Sequence, residues 1–569
     1  MGGFFLQRIN RTLNQKNYDY NKGLDVFYRK GLKLNKVIDR NEFVIHTFYK
    51  LFHEIENTFF FNNDEFVITV GTFFYNKNTG ATAASEFYED YKAGKEVFGK
   101  LNGQFGVVLY INNKLEIFND NLGLYHLYYD KNYGAFSNSF LAISKSCINK
   151  TISDQEIYEY LFHGTTYGNK TVFEEIEGLD REKILNIIPI PELYNKNLPV
   201  LDYGGEKSFD GLIELTSEDL INYFQMIKSN FDNNISSALS GGYDTRLMFS
   251  IMEKIDLHPK YYVSGKKDSS DVQIAQKLAE YKNIPLKIFY WEDIKKINVD
   301  DFYQLILNKY YLNDALTPKG LFLSISDMDL VNARGNILNL NGQAGEVYRD
   351  FWYLPNKSFT ILDFVRSRYD SFLDKYCTEK FNKKIFLTNL SMKIKNTLHF
   401  QSEYLTRQEI DSIYPFFRTR FWVGNVNKRI NYLSYGLWPF ADWELIEKSK
   451  HIPVKYKFYG QFEAKLIAHI SPKLAKIISN YGYNFYDTMP IKYKLKNYIK
   501  YNVPIYLRPY LRKMKVKNKK NIKPYYFSKE YLDPIFGEKP LFMETYLHTN
   551  YPDFETFSRI LSLELMLKY

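Results

Sequence analysis

Ser240-Gly241-Gly242-Tyr243-Asp244-Thr245-Arg246 joins an apolar run, Ile235 to Leu239, to residues spaced along one face of a helix, Leu247, Met248 and Ile251. Two adjacent glycines at such a junction allow a tight turn that bares backbone N–H groups, and the helix that follows adds the positive end of its dipole. The stretch therefore reads as a cradle for an oxyanion. Ser240 and Thr245 add hydroxyl donors, and Asp244 stands where a carboxylate could hold the metal that accompanies a polyphosphate. An ordinary capped strand-to-helix turn is the alternative, and a Ser-Gly-Gly by itself would support no more than that.

The surrounding chain alternates strands and helices. Strands are expected at Ile235 to Leu239, Lys260 to Val263 and Leu286 to Tyr290, with helices at Thr245 to Lys254 and Asp271 to Tyr281. This rhythm predicts a parallel sheet with its ligand at the carboxyl ends of the strands. Upstream, short apolar runs such as Glu65 to Val70, Gly106 to Tyr110 and Leu115 to Phe118 suit layered antiparallel sheets. Ile188 to Gly205, rich in Pro and Gly, is the linker candidate, which divides the chain into 1–203 and 204–569. After about Phe359 the pattern is mainly helical, closing with Phe557 to Leu567. A chain of 569 residues is too long for one core, since single cores stop growing near about 250–300 residues.

The loop at Ser240 resembles the SGGxDS pyrophosphate loop of ATP pyrophosphatases, with Thr245 for the second serine. Further matches follow in the order shown by the asparagine synthetase family. Tyr262-Val263-Ser264-Gly265 with Asp271 resembles the second strand and helix of that nucleotide domain. Asn341-Gly342-Gln343-Ala344-Gly345-Glu346 is similar to the family's SGEGADE loop, and Gly436 to Glu447 to its R-x-P-F-L-D-x-x-L-x-E segment. Leu101 to Tyr110 and Asn119 to Tyr129 resemble strands of the class II glutaminase domain in front of those enzymes. The resemblance implies an α/β chain: an N-terminal layered αββα domain like those of Ntn hydrolases, then a parallel-sheet ATP-pyrophosphatase domain with a mainly helical C-terminal part.

Class II glutaminases need a cysteine directly after the initiator methionine, and here the chain begins Met1-Gly2-Gly3-Phe4. The two cysteines, Cys147 and Cys377, lie elsewhere, and no asparagine-glycine-glutamate loop appears between Phe59 and Phe98. Glutamine hydrolysis is expected to be lost, as in the β-lactam synthetase and lasso peptide cyclase branches. What the resemblance implies for the second domain is an AMP-forming carboxylate–amine ligase acting through an acyl-adenylate, with ATP and Mg2+ as cofactors. Leu239, Ser240, Gly241, Gly242, Asp244, Thr245, Ser264, Asn341 and Gly342 would contact the nucleotide, and Asp244 and Glu346 the metal; Asp244, Glu346 and Gln343 would be the catalytic set. Glu346 stands where the family has aspartate. Gln343 replaces a glutamate or tyrosine that helps deprotonate the amine, and an amide is no base at neutral pH, so the acceptor pocket has changed. Asp350 and Glu444 are candidate replacements, and Lys465 reads as structural or phosphate-facing. The carboxylate is expected to come from a sugar acid or secondary metabolite and the nitrogen from an amine or ammonia. A peptide macrocyclase, an ammonia-using asparagine synthase and a non-catalytic nucleotide-binding scaffold stay open.

Composition adds bounds. The hydrophobic share of 45% and charged share of 25% are ordinary for globular proteins, while the aromatic share of 18% is high, a bias that suits an AT-rich genome better than a function. Two cysteines give neither a disulfide framework nor a zinc pattern. No leader-like start and no long apolar window is found, so a cytoplasmic protein is expected. The formal charge of +10 is concentrated between Ile491 and Lys523, where Lys492, Lys494, Lys496, Lys500, Arg508, Arg512, Lys513, Lys515, Lys517, Lys519, Lys520 and Lys523 alternate with aromatic and aliphatic residues. A solvated segment is the plain reading; peripheral contact with the inner face of the membrane is the functional one. Nucleic acid is not expected, for want of a helix-turn-helix, RNA-recognition or zinc pattern. A homodimer is left open.

Overall fold

The computed structural model describes residues 2–9, 15–62, 64–293, 295–323, 325–326, 328–517, 523–538 and 540–569. Met1, Lys519 and Lys520 lie outside the described residues.

Period-two patterning builds the N-terminal half as two six-stranded antiparallel sheets. In the first, Gly3–Arg8 lies between Phe43–Phe48 and Ala135–Ser137. In the second, Glu65–Tyr75 and Leu101–Ile111 form the long central pair. Phe4 and Leu6 point between the sheets, against Ile45, Ile68, Val108 and Ile117. Phe5 points the other way, toward Val26, Phe27 and Leu141, which come from helices Tyr20–Arg29 and Phe140–Ser146. On the far side Val67, Phe73, Val107 and Leu109 pack under helix Gly80–Lys92 through Ala84 and Phe87. The order is thus helix, sheet, sheet, helix. Within the proline-rich stretch the chain makes one more strand, Glu192–Asn195, which pairs with Lys183–Ile188 and extends the second sheet. The long helix Phe209–Phe231 follows, with Ser208 capping it by accepting from Gly211 N.

The second half holds a five-stranded parallel sheet in the order Leu286–Tyr290, Lys260–Gly265, Ile235–Ala238, Leu338–Leu340, Tyr435–Leu437. The central strand is the one that leads into Ser240. Helices Tyr243–Lys254 and Ser270–Lys282 supply the crossovers, and Val272, Ala275 and Leu278 on the second are buried as its periodicity predicts. Beyond Ile361 the chain is mainly helical, ending in Phe554–Lys568. Among the described residues no helix is long and apolar enough to cross a membrane.

The halves share a buried polar seam. Gly103 N donates to Asp442 Oδ2 at 2.7 Å, Trp438 N to Gln104 Oε1 at 2.9 Å, and Thr72 Oγ1 to the Gly436 carbonyl at 3.0 Å. Gly103 has φ +96° and its Cα lies so close to the neighbouring strand that a Cβ would meet the Thr72 carbonyl at 2.2 Å, so no other residue fits there. Burial pushes the Asp442 carboxyl up to about 7 despite those donors. Deeper in the seam Lys30 and Lys428, one from each half, both pair with Asp314 and hold its carboxyl down to about 2 against the effect of burial.

The basic segment forms helices Ile491–Asn502 and Arg508–Lys517. It does not stay wholly on the surface. Arg508 is buried, Arg512 is half-buried, and Lys513 pairs with Asp370 at 2.8 Å and Asp374 at 3.2 Å. The first helix instead exposes Ile491, Leu495, Tyr498 and Ile499, a single face at spacings of three and four, beside Lys492, Lys494 and Lys496.

Candidate functional site

Strand order in the parallel sheet reverses between Ile235–Ala238 and Leu338–Leu340, and loops 239–242 and 341–346 leave the carboxyl ends of those two strands side by side. A crevice at such a reversal is where open α/β sheets take ligands. Ser240 and Thr245 touch through their hydroxyls at 2.8 Å, and Gly242 N approaches Ser240 Oγ at 3.3 Å. Gly242 is the N-cap of helix Tyr243–Lys254 and no side chain caps it, which leaves the N–H groups of the first turn for an anion. Leu239 is tied to the next strand through the Tyr262 carbonyl at 2.8 Å, and Ser264 Oγ accepts from Trp291 Nε1 at 3.0 Å. Asn341 N donates to the Leu437 carbonyl, while its Oδ1 receives Gln343 N at 2.9 Å. The second loop presses on Asp244: a Cβ at Gly345 would lie 2.4 Å from Asp244 Oδ1, and one at Gly342 would be 3.3 Å from the Asp244 carbonyl carbon. Segment 479–483 rests on the first loop, where Asn480 N donates to the Gly241 carbonyl at 3.1 Å.

The structure brings Asp244 and Glu346 together around a third residue that the sequence did not single out. Arg349 grips both Asp244 oxygens, bonds Glu463 Oε2 at 2.5 Å and lies 3.3 Å from Glu346 Oε1. Tyr414 Oη donates to Glu346 Oε2 at 2.6 Å. Burial works against the Arg349 charge, but the three carboxylates outweigh it. Burial pushes Asp244 up, with Arg349 opposing and Glu346 reinforcing the shift, and drives Glu463 well above the carboxylate range.

The other candidates are placed as follows. Gln343 Oε1 accepts from Trp438 Nε1 at 3.0 Å, which orients the amide as an acceptor. Asp350 is buried, binds Arg407 and receives Trp352 N and Tyr353 N. Glu444 sits at the seam between the halves with Lys448 at 2.9 Å and Asn102 at 3.3 Å. Lys465 lines a cleft of about 1140 Å³ that begins at Tyr243 and runs past Tyr483, Phe485, His469 and Lys494.

At the N-terminal end Gly2 N donates to the Phe48 carbonyl, and a Cβ on Gly2 would sit 2.4 Å from the Tyr49 carbonyl oxygen. A side chain at position 2 has no room without a shift of that backbone.

No family model matches the chain, and no curated protein does. Among solved structures it is similar to the U34-tRNA thiolase NcsA from Methanococcus maripaludis, at 12% identity and TM-score 0.21, covering 55% of this chain and 82% of that one. It is also similar to glutamine phosphoribosylpyrophosphate amidotransferase from B. subtilis, at 11% identity and TM-score 0.21, covering 50% of this chain and 65% of that one. Similarities this remote carry no argument about what the chain does; the residues of the two loops do.

Proposed function

We propose that the chain is an ATP-dependent, AMP-forming ligase that joins a carboxylate to an amine through an acyl-adenylate and does not hydrolyse glutamine. The observation that carries the reading is the uncapped helix start at Gly242, at the reversal of strand order, with loop 341–346 beside it. A carboxylate resists attack by an amine because oxide leaves poorly; transfer of AMP onto it supplies a leaving group and releases pyrophosphate. The first-turn N–H groups and the hydroxyls of Ser240 and Thr245 would hold that pyrophosphate.

Magnesium, which the resemblance puts between Asp244 and Glu346, does not fit the arrangement found, because the Arg349 guanidinium fills the space between those carboxylates. Among the described residues no group of three His, Cys, Asp or Glu is disposed to hold a metal ion. Arg349 neutralises the carboxylates flanking the loop, so that an incoming polyphosphate meets N–H groups instead of unpaired negative charge. The closed Gly2 position supports an amine or ammonia taken from solution. A sugar acid or secondary-metabolite carboxylate is the proposed substrate class, and the lysine-flanked apolar face of Ile491–Asn502 supports peripheral contact with anionic lipid at the inner membrane surface.

The test is exchange of radiolabelled pyrophosphate into ATP in the presence of candidate carboxylates, with AMP as product. Ser240→Ala combined with Thr245→Val should abolish exchange with the fold retained; release of ADP in place of AMP would overturn the assignment. The engagement of Asp244 and Glu346 by Arg349 favours one second reading, a nucleotide-binding protein without turnover. It predicts saturable ATP binding with no exchange for any carboxylate.

A further inference from the structure

Three arginines next to the candidate site have no anionic partner. Arg368 lies on helix Ile361–Tyr369, Arg418 in the π-helical segment Tyr414–Val423, and Arg512 on helix Arg508–Lys517. All three are half-buried. Among the described residues none of them pairs with a carboxylate or donates a hydrogen bond to the protein. Arg368 and Arg418 are held by rings instead. The Arg368 guanidinium carbon lies 4.5 Å from the Trp352 ring centroid and 5.0 Å from that of Phe351; Arg418 lies 5.4 Å from the same Phe351 and 4.7 Å from Trp422. Arg508 is fixed beside them by the carbonyls of Val503, Tyr353, Lys500 and Tyr501. The nearby carboxylate, Asp350, gives its Oδ1 to Arg407, while its buried Oδ2 accepts no hydrogen bond among the described residues.

Burial, and then the charges of Arg512, Arg418 and Arg508, drive Arg368 well below its ordinary range. Arg368 and Arg418, half-buried on one ring with no carboxylate paired to either among the described residues, oppose folding, because a desolvated cation needs a partner. The guanidinium fork matches the paired oxygens of a phosphate, and several forks converging from different helices match a group of two or more negative charges. The place is one aromatic layer from the second loop: Phe351 packs on Tyr414 at 4.3 Å, and Tyr414 bonds Glu346.

We propose that Arg368 and Arg418, gathered on the Phe351 ring beside helix Arg508–Lys517 with its Arg508 and Arg512, form a binding site for a phosphate or pyrophosphate group, distinct from the loop at Ser240. The assignment stands whether or not that loop turns over ATP; with an active ligase, the site takes a phosphate carried by the second substrate.

Trp352 and Trp422 lie against Arg368 and Arg418, so the intrinsic fluorescence of the full chain reports on the site. Titration with inorganic pyrophosphate should give a saturable change. Arg368→Gln combined with Arg418→Gln should weaken it at least tenfold, the loss of charge-assisted hydrogen bonds. In a Ser240→Ala, Thr245→Val background, where pyrophosphate binding at the loop is impaired, a saturable change that depends on Arg368 and Arg418 should persist. Arg512→Gln serves as a second variant that relieves repulsion: it should raise the melting temperature without pyrophosphate and weaken the response to it, whereas an arginine with a structural role would lower the melting temperature. No response in the wild type, or a response indifferent to the arginines, would overturn the proposal. So would a response to vesicles of phosphatidic acid with none to pyrophosphate, which would give the arginines to a lipid headgroup.

Discussion

Arg349→Met removes the one cation that Asp244, Glu346 and Glu463 share. Taking away one partner of a buried ion pair costs about 3–5 kcal/mol, because the remaining charge is left without compensation. The Glu463 side chain is fully buried, while those of Asp244 and Glu346 keep 19% and 23% exposure. Water therefore takes up part of the loss for two of the three, which puts the expected cost at about 3 kcal/mol. At roughly 2–4 °C per kcal/mol for a unit of 150–250 residues, the melting temperature should fall by about 6–12 °C.

The sign of the pH dependence follows from the same geometry. Asp244 and Glu463 are already pushed up by burial with Arg349 opposing; without it they rise further, so the folded variant binds more protons than the unfolded one and its stability falls more steeply as pH rises. The deficit relative to wild type should be larger at pH 8 than at pH 5. Thermal unfolding followed by circular dichroism at both pH values measures it. A melting temperature unchanged at both pH values would refute the view that Arg349 is their counter-charge.

Gly2→Cys should not create glutaminase activity and should lower stability by about 1–3 kcal/mol, the range for overpacking, because its Cβ would press on the Tyr49 carbonyl; glutamate released from glutamine above a protein-free control counts against this. Co-sedimentation with anionic vesicles at low salt should depend on Lys492, Lys494 and Lys496, each contributing about 1 kcal/mol near the surface. Their change to Gln should abolish it while Lys513→Gln, which removes a residue bound to Asp370 and Asp374, changes little; equal binding by all variants would return this helix to a solvated role.

Local pattern carried much of the fold. Strand Leu286–Tyr290 and the helices beginning at Tyr243 and Ser270 lie within two residues of where periodicity puts them, because apolar spacing and caps act over a few residues. The strand-to-helix turn at Ser240 was legible for the same reason: glycines, hydroxyls and the helix start are contiguous.

What surrounds the loop was decided only by tertiary packing. Arg349 is 105 residues from Asp244 and 114 from Glu463, and nothing in the spacing of these residues says that a guanidinium fills the space expected for a metal. Its one local signal was its place three residues after Glu346. The basic segment behaved likewise: composition showed its charge, but which lysines face water and that Arg508 turns inward to the carbonyls of Tyr353, Lys500, Tyr501 and Val503 depends on how helix Arg508–Lys517 docks. Sequence fixes which charges exist; only the folded chain decides which of them find partners, because pairing is made across segments that the sequence keeps far apart.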